Sequence, residues 1–286
     1  MRRLFLKRRE ILKTRQGMRA VDGAGVHLVR VLSHDSVKDF DPFLMLDSFD
    51  SKNPEDYIKG FPWHPHRGIE TVTYLIEGRI DHEDSLGNAG SIHSGCSQWM
   101  TAASGILHQE MPIASERVLG FQLWLNMSSD RKMSMPHYFD LTPDNIVKAD
   151  KPFGSVRILS GTYDGITGAK PTPSIFDISL NAGSSETFET VSGDNVFVFL
   201  IEGDGTVNGT PIAEKSAVLF SEGDFIELGA TADRPLRVIL FSGKPFNEPI
   251  AWGGPIVMNT REELEHAFDE LRAGTFIKHE PPEKPL

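Results

Sequence analysis

Between residues 24 and 245 no apolar run lasts long enough to make a helix of ordinary length. Runs at 26–31, 69–76, 118–127, 156–159, 175–180, 196–201, 217–220 and 236–241 are each cut off by Gly, Pro, Asn or Asp, with turn pairs such as Asn208-Gly209 between them. Short β-branched and aromatic runs at regular spacing are the pattern of antiparallel sandwiches and barrels, so the chain reads as all-β. One helix is expected, over 260–273. Thr260 and Glu263 have capping-box spacing, Leu264, Ala267, Phe268 and Leu271 recur at i, i+3, i+4 and i+7, and Gly274 supplies the stop.

Repetition fixes the organisation. Leu75-Ile76-Glu77-Gly78 returns as Leu200-Ile201-Glu202-Gly203, an offset of 125 residues, each time closing a β-branched and aromatic run. A length of 286 residues accommodates two domains of about 150. Two related barrels are therefore expected, 1–145 and 146–286, joined where Pro143, Asp144, Asp150, Lys151, Pro152 and Gly154 gather turn-forming chemistry.

Charge narrows the partners. Net charge is −11, yet residues 1–19 hold eight basic residues against the single acid Glu10, which leaves −18 on the rest. So acidic a body repels phosphate backbones and disfavours nucleic acid as a partner. The basic arm breaks its apolar residues with charge, so it lacks the core of a secretory signal. No stretch nears the ~18 apolar residues of a membrane helix, which disfavours a membrane partner. The lone Cys96 offers neither an internal disulfide nor a thiolate cluster, and a cytoplasmic setting is the simplest expectation.

None of the ten histidines falls between Tyr138 and Glu265. In a strand, residues i and i+2 share a face, so His64 and His66 of His64-Pro65-His66 point the same way and are able to share one ion. Extending the parity puts Gly68, Glu70, Val72, Tyr74 and Ile76 on that face, and Arg67, Thr71, Thr73 and Glu77 toward water. His108 and Glu110 form a second i, i+2 pair. Together the pairs supply three imidazoles and a carboxylate to one metal and leave coordination positions open. Glu70 shares the parity but lies roughly 13 Å beyond His66 on an extended strand, so Glu110 is preferred. His27, His34, His82, His93, His137, His266 and His279 are expected to be ordinary. G-x-S-x-G, P-loop and complete G-x-G-x-x-G motifs are absent from the sequence.

These residues carry a resemblance. His64-Pro65-His66-Arg67-Gly68-Ile69-Glu70-Thr71-Val72-Thr73-Tyr74-Leu75, Gln98-Trp99-Met100-Thr101-Ala102 and Gly105-Ile106-Leu107-His108-Gln109-Glu110-Met111-Pro112 strongly resemble the pirin family of the cupin superfamily. So do Asp41-Pro42-Phe43-Leu44-Met45-Leu46-Asp47 and Gly253-Gly254-Pro255-Ile256-Val257-Met258-Asn259-Thr260. The resemblance implies a bicupin: two jelly-roll barrels packed together, the first holding one metal, usually iron, on His64, His66, His108 and Glu110, the second holding none. At the 125-residue offset the second half has Glu189, Val191, Asp233 and Pro235. One departure is Gly95-Cys96-Ser97 before Gln98, where the family usually has Gly-Asp; a small turn or wall residue is expected there.

Bacterial pirins of this kind are associated with quercetin 2,3-dioxygenase activity, which implies a flavonol and dioxygen as substrates and Glu110 as ligand and proton acceptor. Gln122, Trp124 and Asn126 are the pocket candidates. The donor set also suits manganese, nickel, cobalt or zinc. Animal pirins, described as metal-dependent regulators of transcription factors, imply the alternative: a non-enzymatic regulator acting through a protein partner, transcriptional or metabolic.

Overall fold

The computed structural model describes residues 6–279. The regular structure of the chain is almost entirely antiparallel sheet, and its contacts divide it into two compact units. One comprises residues 19–37, 43–142 and 246–279, the other 6–18, 38–42 and 143–245. The division in the middle of the chain falls at 142/143, and the ends are exchanged: the N-terminal strand joins the second unit and the C-terminal segment joins the first. The exchange comes from strand pairing, which no local pattern encodes.

In the first unit a seven-stranded sheet runs in the order β12 (His137–Leu141), β9 (Ser97–Thr101), β6 (Ile69–Glu77), β11 (Val118–Asn126), β4 (Phe43–Ser51), β3 (Val26–Leu32) and β2 (Met18–Asp22). A four-stranded sheet has the order β5 (Phe61–His66), β10 (Ile106–Pro112), β7 (Arg79–Asp84) and β8 (Ala89–His93). Strand β11 is buried along its whole length, which explains its near-continuous apolar sequence. Strand β10 instead alternates buried and half-buried residues, and its buried set is Ile106, His108, Glu110 and Pro112. Period-two geometry thus carries the candidate ligands His108 and Glu110 inward.

The second unit repeats the plan. Its seven-stranded sheet has the order β1 (Ile11–Gln16), β22 (Ser216–Phe220), β19 (Asn195–Glu202), β24 (Leu236–Gly243), β17 (Ser174–Leu180), β14 (Gly154–Ser160) and β13 (Val147–Lys151). Its four-stranded sheet is β18 (Ser185–Glu189), β23 (Phe225–Ala230), β20 (Gly205–Val207) and β21 (Thr210–Ile212). The two Leu-Ile-Glu-Gly repeats close β6 and β19, the strands at matching central positions. The position that β12 fills beside β9 is filled here by β1 beside β22, which pair from Ile11 opposite Phe220 to Gln16 opposite Ser216 with a register shift between Ile11 and Lys13. Buried Arg9 anchors that N-terminal segment through Thr190 Oγ1 and the carbonyls of Val191, Asp194 and Ser221. A small hairpin, β15 (Thr162–Tyr163) with β16 (Ile166–Thr167), completes the unit.

Outside the sheets lies the one-turn α1 (Val37–Phe40), and a C-terminal segment carries β25 (Ala251–Gly253), β26 (Ile256–Met258) and α2 (Arg261–Ala273). Helix α2 begins on the expected capping box, with Thr260 accepting from the Glu263 N–H and Glu263 reaching back. It ends on Gly274 at φ 73°, a left-handed cap natural to glycine. Leu264, Ala267, Phe268 and Leu271 pack with Ile256, Met258 and Phe276, so the helix covers β26 of the first unit.

The parity drawn from His64 to Ile76 fails at Arg67-Gly68. That stretch is two strands in two sheets, and the reversal between them needs Gly68 at φ +77°, where a Cβ would lie 1.9 Å from the Val257 carbonyl oxygen. Beyond the break, Thr71 and Thr73, expected in water, are buried, and so is Arg67.

Candidate metal centre and its cavity

Strand β5 is an edge strand of sequence Phe61-Pro62-Trp63-His64-Pro65-His66. Two prolines lack N–H donors, and an edge with a bulge is where a sheet tolerates them. The ladder pairs His64 with His108 and Ile106 with His66, then shifts so that Glu110 faces Phe61. Cross-strand pairing therefore brings the two histidine-bearing segments together: ring centroids are 4.4 Å apart for His64–His108, 4.8 Å for His64–His66 and 5.0 Å for His66–His108.

Hydrogen bonding sets the tautomers. His64 Nδ1 lies 2.8 Å from the Pro62 carbonyl and His66 Nδ1 lies 3.1 Å from that of Pro255. A carbonyl only accepts, so each Nδ1 donates and each Nε2 is left as a bare lone pair. Those two Nε2 atoms face each other at 3.1 Å. His108 Nε2 is buried with no partner. One donor nitrogen from each of the three rings lies within 4.8 Å of the other two. Lone pairs gathered without a proton between them repel, unless a cation takes them. An ion bonded at about 2 Å to each nitrogen sets neighbouring nitrogens about 3 Å apart, the separation His64 and His66 already have. The donor set thus fits a metal.

Electrostatics agree. Burial pushes the His66 imidazole down to about 3, with His64 adding to the effect and the Pro255 carbonyl opposing it. His108 is held well below its ordinary value by burial first, then by His66, His64 and His82. Neutral rings are the form a metal binds.

Glu110 is buried on the same inward face of β10, two residues from His108, but is not one of the three-nitrogen group. Its Oε1 and Oε2 accept from Gln122 Nε2 at 2.9 and 2.8 Å, and Oε1 also accepts from Thr73 Oγ1 at 3.0 Å. Trp124 Nε1 donates to Gln122 Oε1 at 3.0 Å. Because an indole N–H can only donate, it orients the Gln122 amide with its NH2 toward Glu110. Glu70, the rival carboxylate, is taken up elsewhere by Trp99 Nε1 and Thr101 Oγ1.

A cavity of about 480 Å³ opens onto His64, His66, Gln122 and Trp124. Trp124 meets His66 edge-on at 4.8 Å. Of the three pocket candidates, Gln122 and Trp124 line the cavity. Asn126 instead accepts from buried Lys132. Spacing arguments missed Trp252, whose ring lies 5.9 Å from Trp124, and His34, stacked on Trp252 at 3.8 Å. They also missed Asp22, Arg30 and Asp47 on the same cavity. His82, expected to be ordinary, is buried against Tyr138 with Nε2 unpartnered.

Two sheets of matching order in each unit, with a histidine-lined centre in one of them, define a two-domain cupin. The Pirin family model matches residues 25–125 and the Pirin C-terminal cupin domain matches 175–277. The chain belongs to the pirin family. It is 42% identical to the "Putative quercetin 2,3-dioxygenase" of Pseudomonas aeruginosa, over 93% of this chain and 97% of that one. It is 43% identical to a pirin-like protein of Caulobacter vibrioides, over 94% and 99%. Among solved structures, a quercetin 2,3-dioxygenase from Acinetobacter baumannii superposes with a TM-score of 0.86 at 32% identity, covering 94% of this chain and 98% of that one.

Proposed function

We propose that the chain is a metal-dependent dioxygenase that opens the central ring of a flavonol with dioxygen. The observation that carries this reading is the set of converging imidazoles, two with Nδ1 against a carbonyl and the third with an unpartnered Nε2, beside an aromatic-lined cavity. His64, His66 and His108 would hold the ion, with Glu110 as the carboxylate that closes the donor set. The family resemblance implies iron(II), while imidazole plus carboxylate with open positions also suits manganese, nickel, cobalt or zinc. When bound, the metal supplies a Lewis-acidic centre at which a deprotonated hydroxyl and dioxygen come together.

The remaining roles belong to the chain. Glu110 accepts the proton of the flavonol 3-hydroxyl, and Gln122 and Thr73 hold its carboxylate in place. Trp124 and Trp252 bound the guest and keep water from the reacting carbons. In the reaction the C2–C3 and C3–C4 bonds break, C3 leaves as carbon monoxide with its own oxygen, and both atoms of dioxygen enter the product, which takes back the proton as an ester-linked carboxylic acid. A cytoplasmic setting belongs to this reading and is supported by the lone thiol.

The test is metal quantification on the purified protein with oxygen uptake and carbon monoxide release on a flavonol, beside His64→Ala. Turnover that tracks metal content and vanishes in the variant supports the reading. Full occupancy with no release across flavonols overturns the enzyme in favour of a metal-dependent regulator, and undiminished turnover in His64→Ala removes the centre.

A further inference from the structure

The cavity carries a second recognition element apart from the imidazoles. Arg30 Nε and an Nη donate to the two oxygens of Asp47 at 2.9 and 2.7 Å, and the same Nη donates to Asp22 at 2.6 Å. Asp47 is buried, while Asp22 is half-exposed and also accepts from the Gly23 N–H. A fork of two short charge-assisted bonds describes an ion pair. Burial pushes the Asp47 carboxyl up against that pairing, and the bond to Asp47 holds Arg30 above its ordinary value. Asp22 sits low because the bonds from Arg30 and Gly23 outweigh its burial.

The charge count follows. Among the described lining residues Arg30 is the one cation and Asp22 and Asp47 are the two acids, so one guanidinium is shared between two carboxylates. Among the described residues no lysine or second arginine lines the cavity to meet an anion. Each Asp22 oxygen has spent one lone pair and keeps another to accept with. The opposite character comes from Trp124, Trp252 and His34, which present ring surface. Trp252 is fixed in place by its Nε1–H bond of 2.7 Å to the Gly254 carbonyl.

The geometry points to a guest that is planar, carries hydroxyl donors away from its reacting group, and bears no second anionic substituent. The rings bound its plane, and the half-exposed Asp22 carboxylate accepts from a peripheral hydroxyl and repels a sulfonate, carboxylate or phosphate placed beside it. This deepens the flavonol reading and rests on it for the identity of the cavity. It makes Asp22 a specificity-determining residue, with Arg30 and Asp47 positioning it. A hydrogen bond to a charged acceptor sets the scale at about tenfold in affinity.

The experiment uses the metal-loaded full chain and quenching of tryptophan fluorescence by three probes: 3-hydroxyflavone, quercetin and a ring-sulfonated quercetin. Quercetin is expected to bind about tenfold tighter than 3-hydroxyflavone, and the sulfonated probe at least tenfold more weakly than quercetin. In Asp22→Ala the quercetin to 3-hydroxyflavone ratio collapses to about two or less, and in Asp22→Asn the sulfonate penalty falls several-fold. With turnover, Asp22→Ala raises KM for quercetin more than it lowers kcat. Equal affinities for the three probes in the wild type, or ratios unchanged in the Asp22 variants, overturn the assignment. Quenching is read whether or not the ring is cleaved. Carbon monoxide release without the ratios sinks this inference alone, and the ratios without carbon monoxide sink the dioxygenase alone.

Discussion

The two units share one strand plan and differ in what four strands carry. In the first, β5 and β10 turn His64, His66, His108 and Glu110 inward. In the second, β18 and β23 hold the same sheet positions and turn Phe188, Ile226 and Leu228 inward, all buried in one cluster with Val198, Val207 and Leu240. The apolar set contributes stability through burial, about 25 cal/mol for each Å² removed from water. The histidine set contributes none until a cation arrives, because lone pairs without partners are a cost in a low-dielectric interior. The same plan thus serves once as a packed core and once as a candidate metal centre, and a handful of inward residues decides which.

The sharpest way to break this contrast is to truncate one inward residue in each unit. His108→Ala is expected to lower metal affinity by more than a hundredfold, measured by equilibrium dialysis, with little loss of stability in the metal-free protein. Phe188→Ala should do the reverse: a loss of about 3–5 kcal/mol in urea unfolding with metal affinity intact. If the first variant unfolds the chain or the second releases the metal, the division of labour is wrong.

Next in size is the buried arginine beside His66. Arg67 donates to the Ser104 and Phe276 carbonyls and to Glu270, and its guanidinium lies 4.1 Å over the Phe276 ring. Glu270→Gln removes the charge partner of a buried cation and should cost about 3 kcal/mol. It should also weaken metal binding by about tenfold, since the segment it secures supplies the Pro255 carbonyl to His66. Metal affinity unchanged at full folding would separate that segment from the centre.

The smallest effect is a pH response. Lys132 is buried, donating to the Gly68 and Val257 carbonyls and Asn126 Oδ1, and burial lowers it to about 8 despite Glu248 and Glu263. Its folded value lies below the unfolded one near 10.4. Between the two the unfolded chain binds more protons, so this lysine's contribution to stability should rise from about pH 8 to about pH 10.4, by about 1–3 kcal/mol. Lys132→Met should flatten that rise in denaturant melts. The second unit, lacking such a lysine among its described buried residues, supplies the control when probed by hydrogen exchange.

Much of this was legible in the order of residues. Period-two pairing predicts that His64 with His66, and His108 with Glu110, share faces, and the repeated Leu-Ile-Glu-Gly marks matching central strands. Thr260, Glu263 and Gly274 bound the helix because caps are local chemistry. Long-range pairing leaves no such trace. Nothing near Ile11 announces a partner at Phe220, and nothing near Trp252 or Pro255 announces a place beside Trp124 and His66. The offset of 125 also misplaces the second unit's counterparts: Val191, Asp233 and Pro235 lie outside β18 and β23, because loop lengths between corresponding strands differ. The parity across Gly68 failed for a related reason, since one positive φ moves the chain from one sheet to the other.

The bond from His66 to the Pro255 carbonyl has a consequence for biosynthesis. A ribosome that has finished His64, His66 and His108 must add a further 147 residues before Pro255 exists, roughly 7–30 s at ordinary elongation rates. Until then the imidazole of His66 has no fixed tautomer, and an ion that arrives early meets a partner free to swivel. Under the proposed function, loading with metal would therefore belong to the end of translation or after it, and the nascent chain passes through most of its synthesis without its full set of partners for the imidazoles.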